Sequence, residues 1–229
     1  LKEKSNIQGK SNIEGKSSIQ GKRNIEGKSN IQGKKQYLRK SNIQGKGKKS
    51  MKTISVKQMS LAAIMTAVSC ILSPISINIG PVPISLGTFA VCLSVTILGR
   101  NLGMLSYLLY LLLGFIGLPV FSNYGAGVEK LLGPTGGYLI GMIFLAFFGG
   151  FAVERFSKSF VKQYLGLAFG IVLCYLLGTL WLGKVLSMDF GKALSVGVLP
   201  FILPDAIKVF LALALGRKIR SRLSFLQAE

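Results

Sequence analysis

The 229-residue chain contains no histidine. That absence removes His-based acid-base catalysis, the two-histidine zinc motif, and the Ser-His-Asp and Cys-His nucleophile arrangements. Cysteine is scarce as well: Cys70, Cys92 and Cys174 stand far apart, each inside an apolar run, so neither a CxxC pair nor a disulfide framework is indicated. Only 8 acidic residues face 28 Lys and Arg, for a formal net charge of +20. A charge of that size usually points to nucleic acid, but its distribution here does not. Residues 1–50 hold 14 of the 28 basic residues and most of the rest flank apolar runs, so no groove-reading module is visible and no nucleic-acid partner is expected. A phosphate-binding loop is missing too. Gly27-Lys28-Ser29 has an earlier Gly21, but five residues intervene where four are needed and no strand precedes them, so this chain does not hydrolyse ATP itself.

What the chain has in quantity is apolar surface. Half of it is hydrophobic and its mean hydropathy is +0.51, ordinary for a polytopic membrane protein and high for a soluble domain. Residues 1–50 repeat a six-residue unit of the type KSNIQG, with one Ile and one Gly per unit. That pattern forms neither a helical stripe nor a strand alternation, and it reads as a disordered, dispensable extension ahead of a membrane domain over 51–229. A basic tail resting on anionic lipid is its functional alternative. Six spans follow, near 55–73, 82–99, 102–118, 137–153, 164–182 and 198–216, making an all-α six-helix membrane bundle. With a cytoplasmic N-terminus, the inner flanks carry ten basic residues from Lys52 to Arg222, against Lys130, Lys184 and Lys192 outside. The positive-inside rule therefore puts both termini in the cytoplasm.

Three stretches carry candidate function. Ala63 and Ala67 form a small-xxx-small face on span 1, the kind that lets helix backbones approach closely. The connection after span 3 runs about twenty residues, from Gly117 through Phe121, Ser122, Asn123 and Tyr124 to Tyr138, long enough to fold inward as a lid. Most telling is Pro204-Asp205-Ala206-Ile207-Lys208, where a carboxylate and an ammonium sit three residues apart in an apolar helix. At membrane depth each charge costs roughly 2.5 to 3.5 kcal/mol on insertion scales, so the two either pair only with each other or face a polar cavity and hold a ligand.

Gly117-Leu118-Pro119-Val120-Phe121, then Gly133-Pro134-Thr135-Gly136-Gly137-Tyr138-Leu139-Ile140-Gly141, then Pro204-Asp205 with Lys208, in that order among six spans, resemble the BioY family. These are the biotin-specific substrate-binding subunits (S components) of energy-coupling factor (ECF) transporters. The resemblance covers about residues 52–220 and implies biotin bound near the outer surface by Asp205 and Lys208, joined by a polar loop residue carried here to Asn123. It implies further that Ala63 and Ala67 dock on a transmembrane coupling subunit, and that two ATPase subunits energise uptake across the cell membrane with no cofactor on this chain. The chemistry suits that ligand: a ureido ring offers two N–H donors to Asp205 and a carbonyl to Asn123 or Lys208, while Lys208 can equally bind the valerate carboxylate. Phe121 and Tyr124 can pack on the thiophane ring or wedge the loop. The main alternative is a self-sufficient secondary transporter of biotin or another small vitamin, coupled to ions or protons through Asp205.

Overall fold

In the computed structural model, which describes residues 55–223, the apolar runs form helices and the connections form short local elements. Expectations for the 1–50 repeat lie outside the described residues. Helix α1 spans Val56–Leu72 and opens with a capping box in which the side chain of Gln58 returns to the amide of Ser55. A hairpin follows, β1 (Ser76–Ile77) pairing antiparallel with β2 (Ile84–Ser85). Helix α2 spans Gly87–Ile116, α3 Gly127–Leu132, α4 Gly136–Arg155, α5 Phe160–Val185, α6 Phe190–Gly197 and α7 Leu199–Arg222. Among the described residues, α2, α4, α5 and α7 are long and apolar enough to cross a membrane, and α1 is a shorter apolar helix.

Helix α2 is two arms folded on each other. Gly99 at its middle has φ 82° and ψ −170°, a backbone setting that strains any side chain. In one continuous helix Ser94 and Ser106 would lie about 18 Å apart, yet their hydroxyls are 3.3 Å apart. The arms therefore run antiparallel. Gly103 makes the close approach possible, since a Cβ there would stand 2.8 Å from Val95 Cα. Breaking a helix orphans amides on one side and carbonyls on the other. Both are met from neighbouring helices: Glu154 Oε1 of α4 accepts from the Arg100 amide at 2.7 Å, and Arg220 Nη1 of α7 donates to the Thr96 carbonyl at 3.2 Å. At the same end Gln163 is buried, donating to the Val153 carbonyl and accepting from Arg217.

The main core lies where both arms of α2 meet α4, α5 and α7, around Val95, Tyr107, Leu145, Leu167 and Leu213. The Gly136-Gly137 step in α4 exists for packing: a Cβ on Gly137 would stand 2.3 Å from Trp181 Cβ, and Trp181 Nε1 donates to the Gly133 carbonyl at 3.0 Å. Tyr138 next to them fills the space left by Gly178 and donates its hydroxyl to the Gly197 carbonyl. These bonds fix the connection before α4 and the start of α7 around α5. Helix α6 was not evident in the sequence. Asp189 is its N-cap and accepts from the Gly191 amide at 3.0 Å.

Candidate functional site

The β-hairpin, the first turn of α2, the start of α4, the middle of α5 and the first half of α7 enclose a cavity with an empty volume of about 590 Å³. Leu139, Met142, Leu145, Ile171, Cys174 and Phe201 make its apolar wall. Its polar groups come from Ser85, Thr88, Ser122, Thr135, Tyr138 and Tyr175, with Asp205 and Lys208 supplying the charge. An apolar chamber with a few converging polar groups can orient a small, partly polar molecule.

Asp205 is 4% exposed, and its carboxylate is held from two sides. Oδ1 accepts from Lys208 Nζ at 2.9 Å, and Oδ2 accepts from the Tyr175 hydroxyl at 2.7 Å. Lys208 Nζ donates also to the Ser85 carbonyl at 2.7 Å, so α7 is tied to the hairpin as well as to its own carboxylate. An ammonium has three donors; among the described residues, two are used. Each carboxylate oxygen likewise keeps acceptor capacity beyond the single bond it makes. The pair is thus neutralised and fixed in place, with one donor and several lone pairs unspent.

The other expected contacts fall elsewhere. Phe121 is fully buried, edge-on to Tyr110 at 5.6 Å between ring centroids, in a hollow that a Cβ at Gly114 would fill. Asn123 has left-handed backbone angles and is bound to the hairpin: its Oδ1 accepts from Ser76 Oγ at 2.6 Å, its amide donates back to that oxygen at 2.9 Å, and its Nδ2 donates to Asn78. Tyr124, also at positive φ, is 70% exposed. None of these three lines the cavity; their neighbour Ser122 does. Two adjacent non-glycine residues at positive φ store backbone strain, which persists only where surrounding contacts hold it. Ala63 and Ala67 stand exposed on α1, away from the face whose Thr66 hydroxyl bonds Ser106.

Tyr175 and Ser85 escaped the sequence reading. A tyrosine near the middle of an apolar span, away from the interface where such rings gather, has a hydroxyl that needs a partner, and that was the available signal. Ser85 acts through its carbonyl, which no side-chain identity reveals. Tyr175, Ile171 and Asp205 also border a second, apolar groove of about 980 Å³ between α5, α6 and α7.

Comparison with known proteins gives a consistent result. The family model described as "BioY family" matches residues 46–225. A Thermotoga maritima protein named "Biotin transporter BioY" is 39% identical over 165 residues, covering 72% of this chain and 96% of its own. A Pyrococcus horikoshii protein named "Probable biotin transporter BioY" is 37% identical over 167 residues, covering 73% of this chain and 98% of its own. Among solved structures, the S-component for biotin from an ECF-type ABC transporter superposes with a TM-score of 0.68 at 31% identity, over 72% of this chain and 92% of that one.

Proposed function

Because this chain belongs to the BioY family, we propose that it captures biotin in the Asp205–Lys208 cavity and serves uptake as the substrate-binding subunit of an ECF-type transporter. It is a multi-pass cell-membrane transport subunit and not an enzyme. The observation that carries the site is the buried Asp205 carboxylate, held by Lys208 and Tyr175 in a cavity with an apolar wall and a few polar groups. Biotin has matching parts: ureido N–H groups for a carboxylate, oxygens for the spare ammonium donor, and apolar ring and chain for the wall around Leu139, Met142 and Ile171.

In this reading α1, both arms of α2, α4, α5 and α7 are six membrane crossings, with both termini cytoplasmic. The antiparallel arms at Gly99 and the ten-to-three bias of basic residues support that count and orientation. The segment 117–135 is then an outer cover over the site. Asp205 and Lys208 contact biotin directly, while Phe121, Asn123 and Tyr124 seat the cover and set its closed position. Phe121 anchors it in the core, and Asn123 laces it to the hairpin. The exposed Ala63–Ala67 face supports docking on a transmembrane coupling subunit, which connects the chain to two ATPase subunits. Vesicles holding the full chain with that module should concentrate biotin only when ATP is supplied inside. Accumulation by the chain alone, driven by an ion or proton gradient, would replace the subunit reading with a secondary transporter.

A further inference from the structure

Thr88 occupies the first turn of α2's first arm, two residues past the backbone position Leu86 that starts the helix. Leu86 itself offers no side-chain cap, the Gly87 amide donates to Ser85 Oγ at 3.2 Å, and the Ser85 carbonyl accepts from Lys208 Nζ. Thr88 is 8% exposed and lines the cavity. A threonine in a helix commonly bonds back to a carbonyl one turn earlier, as Thr66 and Thr96 do in this chain. Thr88 does not. Its hydroxyl has no hydrogen-bond partner among the described residues and is not sealed in the core, so it remains free to donate to a molecule in the cavity. It stands three residues from Ser85, whose carbonyl holds the Lys208 ammonium.

Three features therefore converge on one corner of the cavity: a spare ammonium donor, an unpaired hydroxyl, and the helix-start amides beyond Gly87, which favour negative charge. All three are donors. Across the corner, Asp205 is the acceptor. We propose that Thr88 is a ligand-binding and specificity-determining residue which, with Lys208, donates to an oxygen of the bound molecule. The inference rests on the biotin reading above and refines it. The ligand oxygen belongs either to the ureido carbonyl or to the valerate carboxylate; both are hydrogen-bond acceptors and suit the same donors.

Thr88→Val keeps the shape and β-branching and removes only the hydroxyl, while Thr88→Ser keeps the hydroxyl and removes a methyl. Equilibrium binding to the full chain in detergent would compare wild type and both variants with biotin and with its methyl ester, alongside the melting midpoint of each ligand-free protein. Thr88→Val should weaken biotin binding about ten-fold, the worth of one hydrogen bond to a polar ligand, with Thr88→Ser near wild type and the ligand-free midpoints unchanged. Equal loss for biotin and its ester places the hydroxyl on the ureido carbonyl; loss confined to biotin places it on the carboxylate. Wild-type affinity in Thr88→Val, or equal loss in both variants with lowered midpoints, would overturn the assignment of Thr88 and leave the biotin reading standing. Absence of biotin binding by folded wild-type protein would overturn both.

Discussion

At the scale of single residues, the site turns on how a buried carboxylate is paired and aimed. Lys208 alone could neutralise Asp205, but an i,i+3 pair on one helix leaves the carboxylate free to rotate about its last bond. The Tyr175 hydroxyl fixes the second oxygen from a different helix, so the orientation of Asp205 depends on α5 as well as α7. Tyr175→Phe removes that constraint and little volume. We expect biotin affinity to fall about ten-fold with the ligand-free melting temperature nearly unchanged, as suits one hydrogen bond to a charged group; isothermal titration calorimetry with parallel thermal melts would measure both. Undiminished affinity would mean that Lys208 orients the carboxylate by itself. Asp205 and Lys208 were legible in sequence because charge in an apolar run has no cheap explanation. Tyr175 was not, because tyrosine is as common at membrane interfaces as in binding sites. The roles of Ser85 and Gln163 were hidden for another reason: each is defined by a partner over fifty residues away in sequence.

At the scale of elements, the chain's sharpest reversal sits at Gly99, at the boundary between the expected spans near 82–99 and 102–118. Sequence could place the turn within a residue or two because hydropathy drops there; it could not show that Glu154 and Arg220 from two other helices satisfy the broken ends. The short α6 was missed because eight residues between two spans carry too little periodicity to separate a helix from a loop. Phe121 gives the opposite case: an aromatic in a glycine-rich connection could wedge the loop or meet a ligand, and the hollow over Gly114 holds it as a wedge in this structure. Helix α1 buries Ala62, Met65, Thr66 and Ser69 against the bundle and leaves Ala63 and Ala67 outward. If that face docks on the coupling subunit, Ala63→Trp should leave biotin binding within about two-fold of wild type and reduce recovery of the coupling subunit in co-purification at least several-fold, because bulk at a small-xxx-small face holds backbones apart. Parallel loss of binding and association would instead mark Ala63 as a position the bundle itself needs.

At the scale of the whole molecule, the arrangement separates two tasks. One end of the bundle carries the hairpin, the 117–135 segment and the Asp205–Lys208 cavity; the other carries the Gly99 reversal and the Gln163–Arg217 contact. The helices between are apolar and closely packed through glycines at Gly103, Gly137, Gly141 and Gly170. The fold class was legible because membrane spans announce themselves by length and hydropathy, and the order of motifs along the chain pointed to the family. Three-dimensional closure of the site was not, since it depends on bonds between segments far apart in sequence, such as Lys208 to Ser85 and Asn123 to Ser76. The other proposals depend on binding of biotin in this cavity through the Asp205 carboxylate. Its most direct test is equilibrium binding of biotin to the full chain, wild type against Asp205→Asn, with a thermal melt of each to show that both are folded. We expect saturable binding by wild type and a loss of about a hundredfold or more in the variant, because the amide puts a donor in place of one of the two acceptor oxygens and leaves the Lys208 charge uncompensated. Biotin binding of equal strength in folded Asp205→Asn protein would contradict it.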